Sequence, residues 1–297
     1  MHAIRCPEGT PRATEKSIEA IEQTAPWLAW KGAKITLQIN RVRKAFLEGR
    51  PSFGVYARLP SPAMMELLAF AGLDFVRIDL TQNDIGLETL RSMTRAAHAS
   101  GITPFVRVPR VDAETICAVL DVGVLGVIVP EVTGAADVEI AARAAKLPPH
   151  GQRRVGLTGL NGFGRITSTE YADWASENVM LAVQVETRSA VEEIDAILAI
   201  PGLDMVLGGR GTLASQYGVP GQRDHPRIQE IEASIMEKAR RAGKIVSVTY
   251  LPMRDPGQTN LVRNSIARGA HSVCLGIDTD VVYAYRRLLK DVAWSPT

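Results

Sequence analysis

Eight short apolar runs, each followed by a polar or amphipathic stretch, constrain what this chain can fold into. They read FGVYA (53–57), DFVRIDL (74–80), TPFVRVP (103–109), GVIVPEV (126–132), LAVQVET (181–187), LDMVLGG (203–209), KIVSVTY (244–250) and HSVCLGID (271–278). Rich in Val and Ile and flanked by Gly, Pro or Asp, they have the pattern of strands buried on both faces of a parallel sheet. Helical patterns lie between most of them, such as SPAMMELLAFAG (61–72), LETLRSMTRAAHASG (87–101) and AADVEIAARAAKL (135–147). The first opens with Ser61 before a proline, which suits the first position of a helix. Eight β-then-α units over roughly 240 residues fit a closed barrel better than an open doubly wound sheet. The open alternative asks for GxGxxG near the first strand, and FGVYARLPSP has none. The expectation is an α/β protein with a single (β/α)8 TIM-like barrel over residues 41–297. Residues 1–40 are expected to be an N-terminal extension, a polar start followed by the helix-like TEKSIEAIEQTAPWLAWKGA. Residues 147–180 break the rhythm as a long, polar, glycine-rich connection, and such connections in compact domains usually serve function.

Composition removes several function classes. The net charge is +2, with 34 basic and 32 acidic residues interspersed, so no nucleic-acid footprint is expected. The three cysteines, at 6, 117 and 274, form no CxxC. That excludes a disulfide framework and a thiolate zinc site, and it suits a reducing cytoplasm. The first twenty residues lack the apolar core of a signal peptide, and no run of 18 apolar residues exists to span a membrane.

In such barrels the chemistry gathers where strands end. Asp79 ends the second run and Arg107 lies in the third; Glu131 follows the fourth, Glu186 ends the fifth, and Arg210 and Thr212 follow the sixth. Carboxylates and guanidinium groups around one mouth suit an anionic substrate, with or without a divalent cation. Each has a plainer reading: Asp79 as a helix cap, Arg107 paired structurally with Glu186, Glu131 as solvated rim. The stretch LGGRGTLA (207–214) is either an anion cradle or a tight strand-to-helix turn. None of the five histidines falls at a strand's C-terminal end, so a Ser-His-Asp or Cys-His system has no support.

The stretches LPPHGQRRVGLTG, VQVETRSAVEEIDAI, PGLDMVLGGRGTLASQYGVPG and SVCLGIDTD resemble the HpcH/HpaI aldolase family over roughly residues 41–291. The resemblance implies a class II pyruvate aldolase, a carbon–carbon lyase acting on a small 2-oxo acid through a pyruvate-type enolate. It also implies a homo-oligomer, trimer or hexamer, with the last helix (278–294) packed on a neighbour. By the same resemblance Glu186 would bind a divalent metal, Mg2+ or Mn2+, and no organic cofactor is involved. Arg107 would hold the substrate oxygen, Asp79 would occupy the strand-two Asp position, and Asp121 would support the acid–base group near a subunit boundary. Gly209, Arg210, Gly211 and Thr212 would form the substrate-carboxylate loop.

The pattern then departs. Thr81 and Gln82 stand where the family has Glu and His, and an amide does not titrate near neutrality. Thr212 replaces the second metal-binding Asp, and a hydroxyl is a poor substitute at a hard cation. Three readings stay open: Arg210 takes the metal's place, holding a substrate carboxylate or pairing with Glu186; Glu186 with Thr212 or Glu131 keeps the metal; or the barrel is catalytically silent. Another reaction on a carboxylate substrate, such as decarboxylation or isomerisation, remains the competing enzyme reading.

Overall fold

The computed structural model of this protein describes residues 36–292. Most of the expected extension over residues 1–40, and residues 293–297, lie outside that range.

All eight expected strands form, as β1 (Ser52–Ala57), β2 (Phe75–Asp79), β3 (Thr103–Arg107), β4 (Gly126–Val129), β5 (Met180–Val185), β6 (Leu203–Gly208), β7 (Ile245–Thr249) and β8 (Ser272–Ile277). They pair in sequence order, all parallel, and β1 closes on β8. Burial on both faces explains why the strands read as continuous apolar runs, since helices cover the outside and side chains fill the inside.

The two faces have separate cores. Inward-pointing Tyr56, Phe75, Phe105, Ile128, Met180, Met205, Leu207, Ile245 and Cys274 fill the barrel. Val76, Ile78, Val106, Val127, Val183 and Val206 point outward and pack under the helices. Gly126 is required for this packing, because a Cβ there would overlap the Phe105 ring.

The bottom of the barrel is plugged by Asn40, which caps the helix Arg41–Leu47 by accepting from the Val42 and Arg43 N–H groups. Its Nδ2 donates to the carbonyls of Leu125, at 3.0 Å, and Asn178, at 2.9 Å. The last residue assigned to the extension is therefore integrated into the barrel.

The 147–180 connection is not all loop. It contains a 3-10 segment, Gly159–Gly164, and an α-helix, Ser168–Asn178. Thr167 and Glu170 close a reciprocal capping box at that helix's start, which overrides the polar composition.

The final helix is Val281–Asp291, preceded by a 3-10 turn at Asp278–Asp280. None of its residues is buried, and Val281, Val282, Tyr285, Leu288 and Leu289 are exposed. No helix among the described residues is long and apolar enough to cross a membrane.

Candidate active site

Strand register assembles the site. Asp79 and Arg107 are directly opposite one another in the β2–β3 pairing, and both side chains point inward at the strand ends. The guanidinium grips the carboxylate with two nitrogens: Nε donates to Oδ1 at 3.0 Å and Nη2 to Oδ2 at 2.6 Å. Thr81 adds its backbone N–H and its hydroxyl to Oδ1. Burial pushes the Asp79 carboxyl up, but the Arg107 and Thr81 hydrogen bonds outweigh it and hold it below the usual carboxylate range. Asp79 is therefore a fixed anion that orients Arg107. The third nitrogen, Nη1, lies 3.3 Å from the Gln184 Oε1. Arg107 keeps 15% of its side chain exposed, so an incoming oxygen can reach it. Arg58, following β1, brings a second guanidinium to 3.4 Å from Asp79.

Glu186 follows β5 on the same rim and is 5% exposed. Burial raises its pKa, and hydrogen bonds from Glu131 and Thr212 together with the Arg107 charge offset only part of the rise. Its Oε1 accepts the Glu131 N–H at 3.2 Å. Its Oε2 lies so close to Gly209 that a Cβ there would overlap it. Gly209 therefore serves a close approach of backbone to carboxylate, which gives the turn its function.

Other expected residues lie elsewhere. Arg210 does not face Glu186. Its Nε donates to Glu232 at 2.7 Å, Nη2 contacts the same carboxylate, and Nη1 donates to Asp224 at 2.9 Å. Starting a helix directly after the strand turns its side chain outward, onto the helix Pro226–Arg241. The expectation that it replaces the metal or holds substrate is thus corrected. Glu131 makes contact with the site through its N–H, because its backbone is left-handed (φ 51°) and its side chain is exposed; its charge adds to the rise at Glu186. Asp121 lies in the last turn of the helix Ala113–Val122. Helices run back against the strands, so that turn is at the opposite end of the barrel from the mouth. There Asp121 lines a cleft with Arg91, Arg95, His98 and Phe163, away from the mouth of its own barrel. Gln82 is exposed in the loop after β2, and Gly211 and Thr212 lie beyond Gly209 on the β6 rim. His98 and His271 are structural: one bonds the Gly123 carbonyl, the other accepts the Val246 N–H.

Sequence reasoning missed Arg58, Gln184 and Arg77. The signal for two of them was present, since Arg77 in FVRID and Gln184 in AVQVE are polar residues within otherwise apolar strands.

The donor set near Glu186 is thin for a metal. It comprises one carboxylate and the Thr212 hydroxyl, with an N–H on one carboxylate oxygen and a guanidinium nearby. Among the described residues no group of three His, Cys, Asp or Glu side chains is arranged to hold an ion.

A (β/α)8 barrel with a guanidinium and two carboxylates converging at its mouth defines a class of enzymes that handle small anions. Comparison makes the class specific. The family model for HpcH/HpaI aldolase/citrate lyase matches residues 52–284, and the chain belongs to that family, whose members generally depend on a divalent metal. It is 33% identical over 253 residues to a 4-hydroxy-2-oxovalerate aldolase of Rhodococcus jostii, covering 82% of this chain and 92% of that protein. Among solved structures, the citrate synthase SbnG superposes with a TM-score of 0.73 at 30% identity, over 84% of this chain and 95% of that one. An HpcH/HpaI aldolase from Desulfitobacterium hafniense reaches a TM-score of 0.80 at 26% identity, over 88% and 98%.

Proposed function

We propose that this protein is a carbon–carbon lyase of the aldolase type that acts on a small 2-oxo acid through a pyruvate-type enolate. The observation that carries the reading is the Arg107 guanidinium, locked by Asp79 through two nitrogens and presenting its remaining edge to the mouth. A charged donor fixed before the reaction begins stabilises an oxyanion without reorganising. In cleavage, the proton on the C4 hydroxyl is removed, the C3–C4 bond breaks, and the electron pair passes onto the C2 oxygen opposite Arg107. The aldehyde leaves, and C3 then takes a proton to give the 2-oxo acid product. Glu186 moves the proton: it sits buried on the mouth rim beside Gly209, and burial raises its pKa, which strengthens it as a base. The Gly209–Thr212 loop, with Arg210 turned away, receives the substrate carboxylate. Carbon–carbon bond formation, the direction in the name of the citrate synthase, would use the same enolate in reverse.

The chemistry of the donors does not fit a tightly held dication, since hard cations prefer several carboxylate or carbonyl oxygens. The exposed apolar stripe of Val281–Asp291 supports a homo-oligomer, trimer or hexamer, with a second copy covering it. The unpaired Cys117 and Cys274 suit the cytoplasm.

The test is retro-aldol release of pyruvate from a panel of 4-hydroxy-2-oxo acids, followed by coupled reduction. Because Gln82 cannot titrate, slow turnover is expected, abolished by Glu186→Gln and by Arg107→Met. No release from any member of the panel, together with no exchange of the pyruvate methyl protons, would leave a binding barrel as the reading.

A further inference from the structure

Inside the barrel, one layer below the mouth, is a charge that the proposed reaction does not yet use. Arg77 is 0% exposed. No carboxylate among the described residues lies within salt-bridge distance of it. Its Nη2 donates to the Ser247 hydroxyl at 2.5 Å, Nη1 lies 3.5 Å from the Thr249 hydroxyl, and Nε has no partner. The side chain crosses from β2 to β7 between two aromatic faces, 5.4 Å from the Tyr56 ring centre and 5.0 Å from that of Phe75. Strand register places Arg77 beside Tyr56. The Arg107 guanidinium lies 4.8 Å from the same Tyr56 ring, so one aromatic ring joins the buried cation to the substrate-facing one.

A buried guanidinium without a counterion is a burden on folding, and an apolar side chain of similar volume is often as stable or more so. Such a group marks a site where charge serves something other than stability. The charges at the mouth and beneath it indicate what that is. At the mouth Arg58 and Arg107 are both held on Asp79, whereas the Arg77 charge beneath them has no carboxylate partner among the described residues. The field of Arg77 is felt at its neighbours: burial pushes up both the Tyr56 hydroxyl and the Cys274 thiol, and Arg77 opposes both shifts.

We propose that Arg77 is a positioning residue that supplies, from beneath the site, a fixed positive potential selecting for the dianionic form of the ligand. That form is a carboxylate carrying an enolate oxygen or a second carboxylate. The inference rests on the 2-oxo acid reading and deepens it, because enolate formation takes a monoanionic 2-oxo acid to a dianion. Arg77 does not touch the ligand; it acts through Tyr56 and across the buried barrel interior, where charges are weakly screened.

The experiment compares oxalate, a dianion shaped like the pyruvate enolate, with pyruvate itself. Binding of each is measured by calorimetry, with chelator present, for the wild type and for Arg77→Met, Arg77→Gln and Arg77→Lys. Arg77→Met is expected to melt at or above the wild-type temperature, to lose about tenfold in oxalate affinity and to lose much less in pyruvate affinity. Arg77→Lys should recover part of the oxalate affinity. Equal oxalate binding in wild type and Arg77→Met would overturn the proposal, as would failure of both Arg77→Met and Arg77→Gln to fold, which would make the arginine structural. A wild type that binds neither ligand overturns the 2-oxo acid reading as well. A wild type that binds both, with an unchanged Arg77→Met, overturns only the role of Arg77.

Discussion

At the scale of single residues, the site is set by how closely atoms approach. Glu186 occupies the space that a side chain on Gly209 would need. Gly209→Ala should therefore displace the carboxylate and reduce turnover by two orders of magnitude or so, in keeping with misplacement of a catalytic group. A crystal structure of the variant showing Glu186 unmoved would contradict this. Glu131 makes the opposite case. Its left-handed backbone serves to present one N–H to Glu186, and its own side chain is exposed. Glu131→Gly should keep that hydrogen bond while relieving backbone strain of about 1 kcal/mol, so activity should hold and the melting temperature should not fall. The sequence made Asp79, Arg107 and Glu186 legible because each falls at or next to the end of an apolar run, where barrel geometry fixes its direction. Arg210 was misread for a related reason. Being one residue past the turn, its direction depends on the helix that begins there and on Glu232, 22 positions away in sequence, and no local pattern encodes that pairing.

At the scale of elements, the strands were nearly fully legible, since alternation with helices and Val/Ile content both report a parallel barrel. The helix Ser168–Asn178 was not, because its composition is polar. Its signal was the capping pattern TSTE at 167–170, a four-residue motif rather than a periodicity. Asn40 shows how much one cap can hold: Asn40→Ala removes two acceptor contacts to the helix Arg41–Leu47 and leaves the Leu125 and Asn178 carbonyls without their donor. A loss of about 2–3 kcal/mol is expected, read by chemical denaturation. Two histidines tie helices and turns to the barrel and confer a pH dependence. Burial lowers the pKa of both, with the Gly123 carbonyl partly opposing at His98 and the Arg240 charge adding to the effect at His271. The folded state therefore favours the neutral rings, and the unfolded chain takes up protons first as pH falls below about 6.5. Stability should be full above that value and decline as pH drops toward the folded-state pKa values. Thermal melts at pH 7.5 and 5.5 check the direction, and a melting temperature that rises on acidification would contradict it.

At the scale of the whole molecule, the amphipathic last helix and the mouth make separate forecasts. Val281, Tyr285 and Leu288 expose an apolar stripe that a second copy would cover. Light scattering should find an assembly larger than a monomer at micromolar concentration, and Leu288→Asp should weaken it; a monomeric wild type would contradict this. The mouth's forecast is the central one, namely that positively charged side chains, with Arg107 foremost, hold the 2-oxo acid and its enolate. The most direct measurement is the exchange of pyruvate methyl protons for deuterium, followed by NMR with the protein stripped by chelator and with Mg2+ or Mn2+ restored. Exchange should proceed at the same rate in both and vanish in Arg107→Met. Exchange that appears only with stoichiometric metal, or that survives Arg107→Met, would contradict the account.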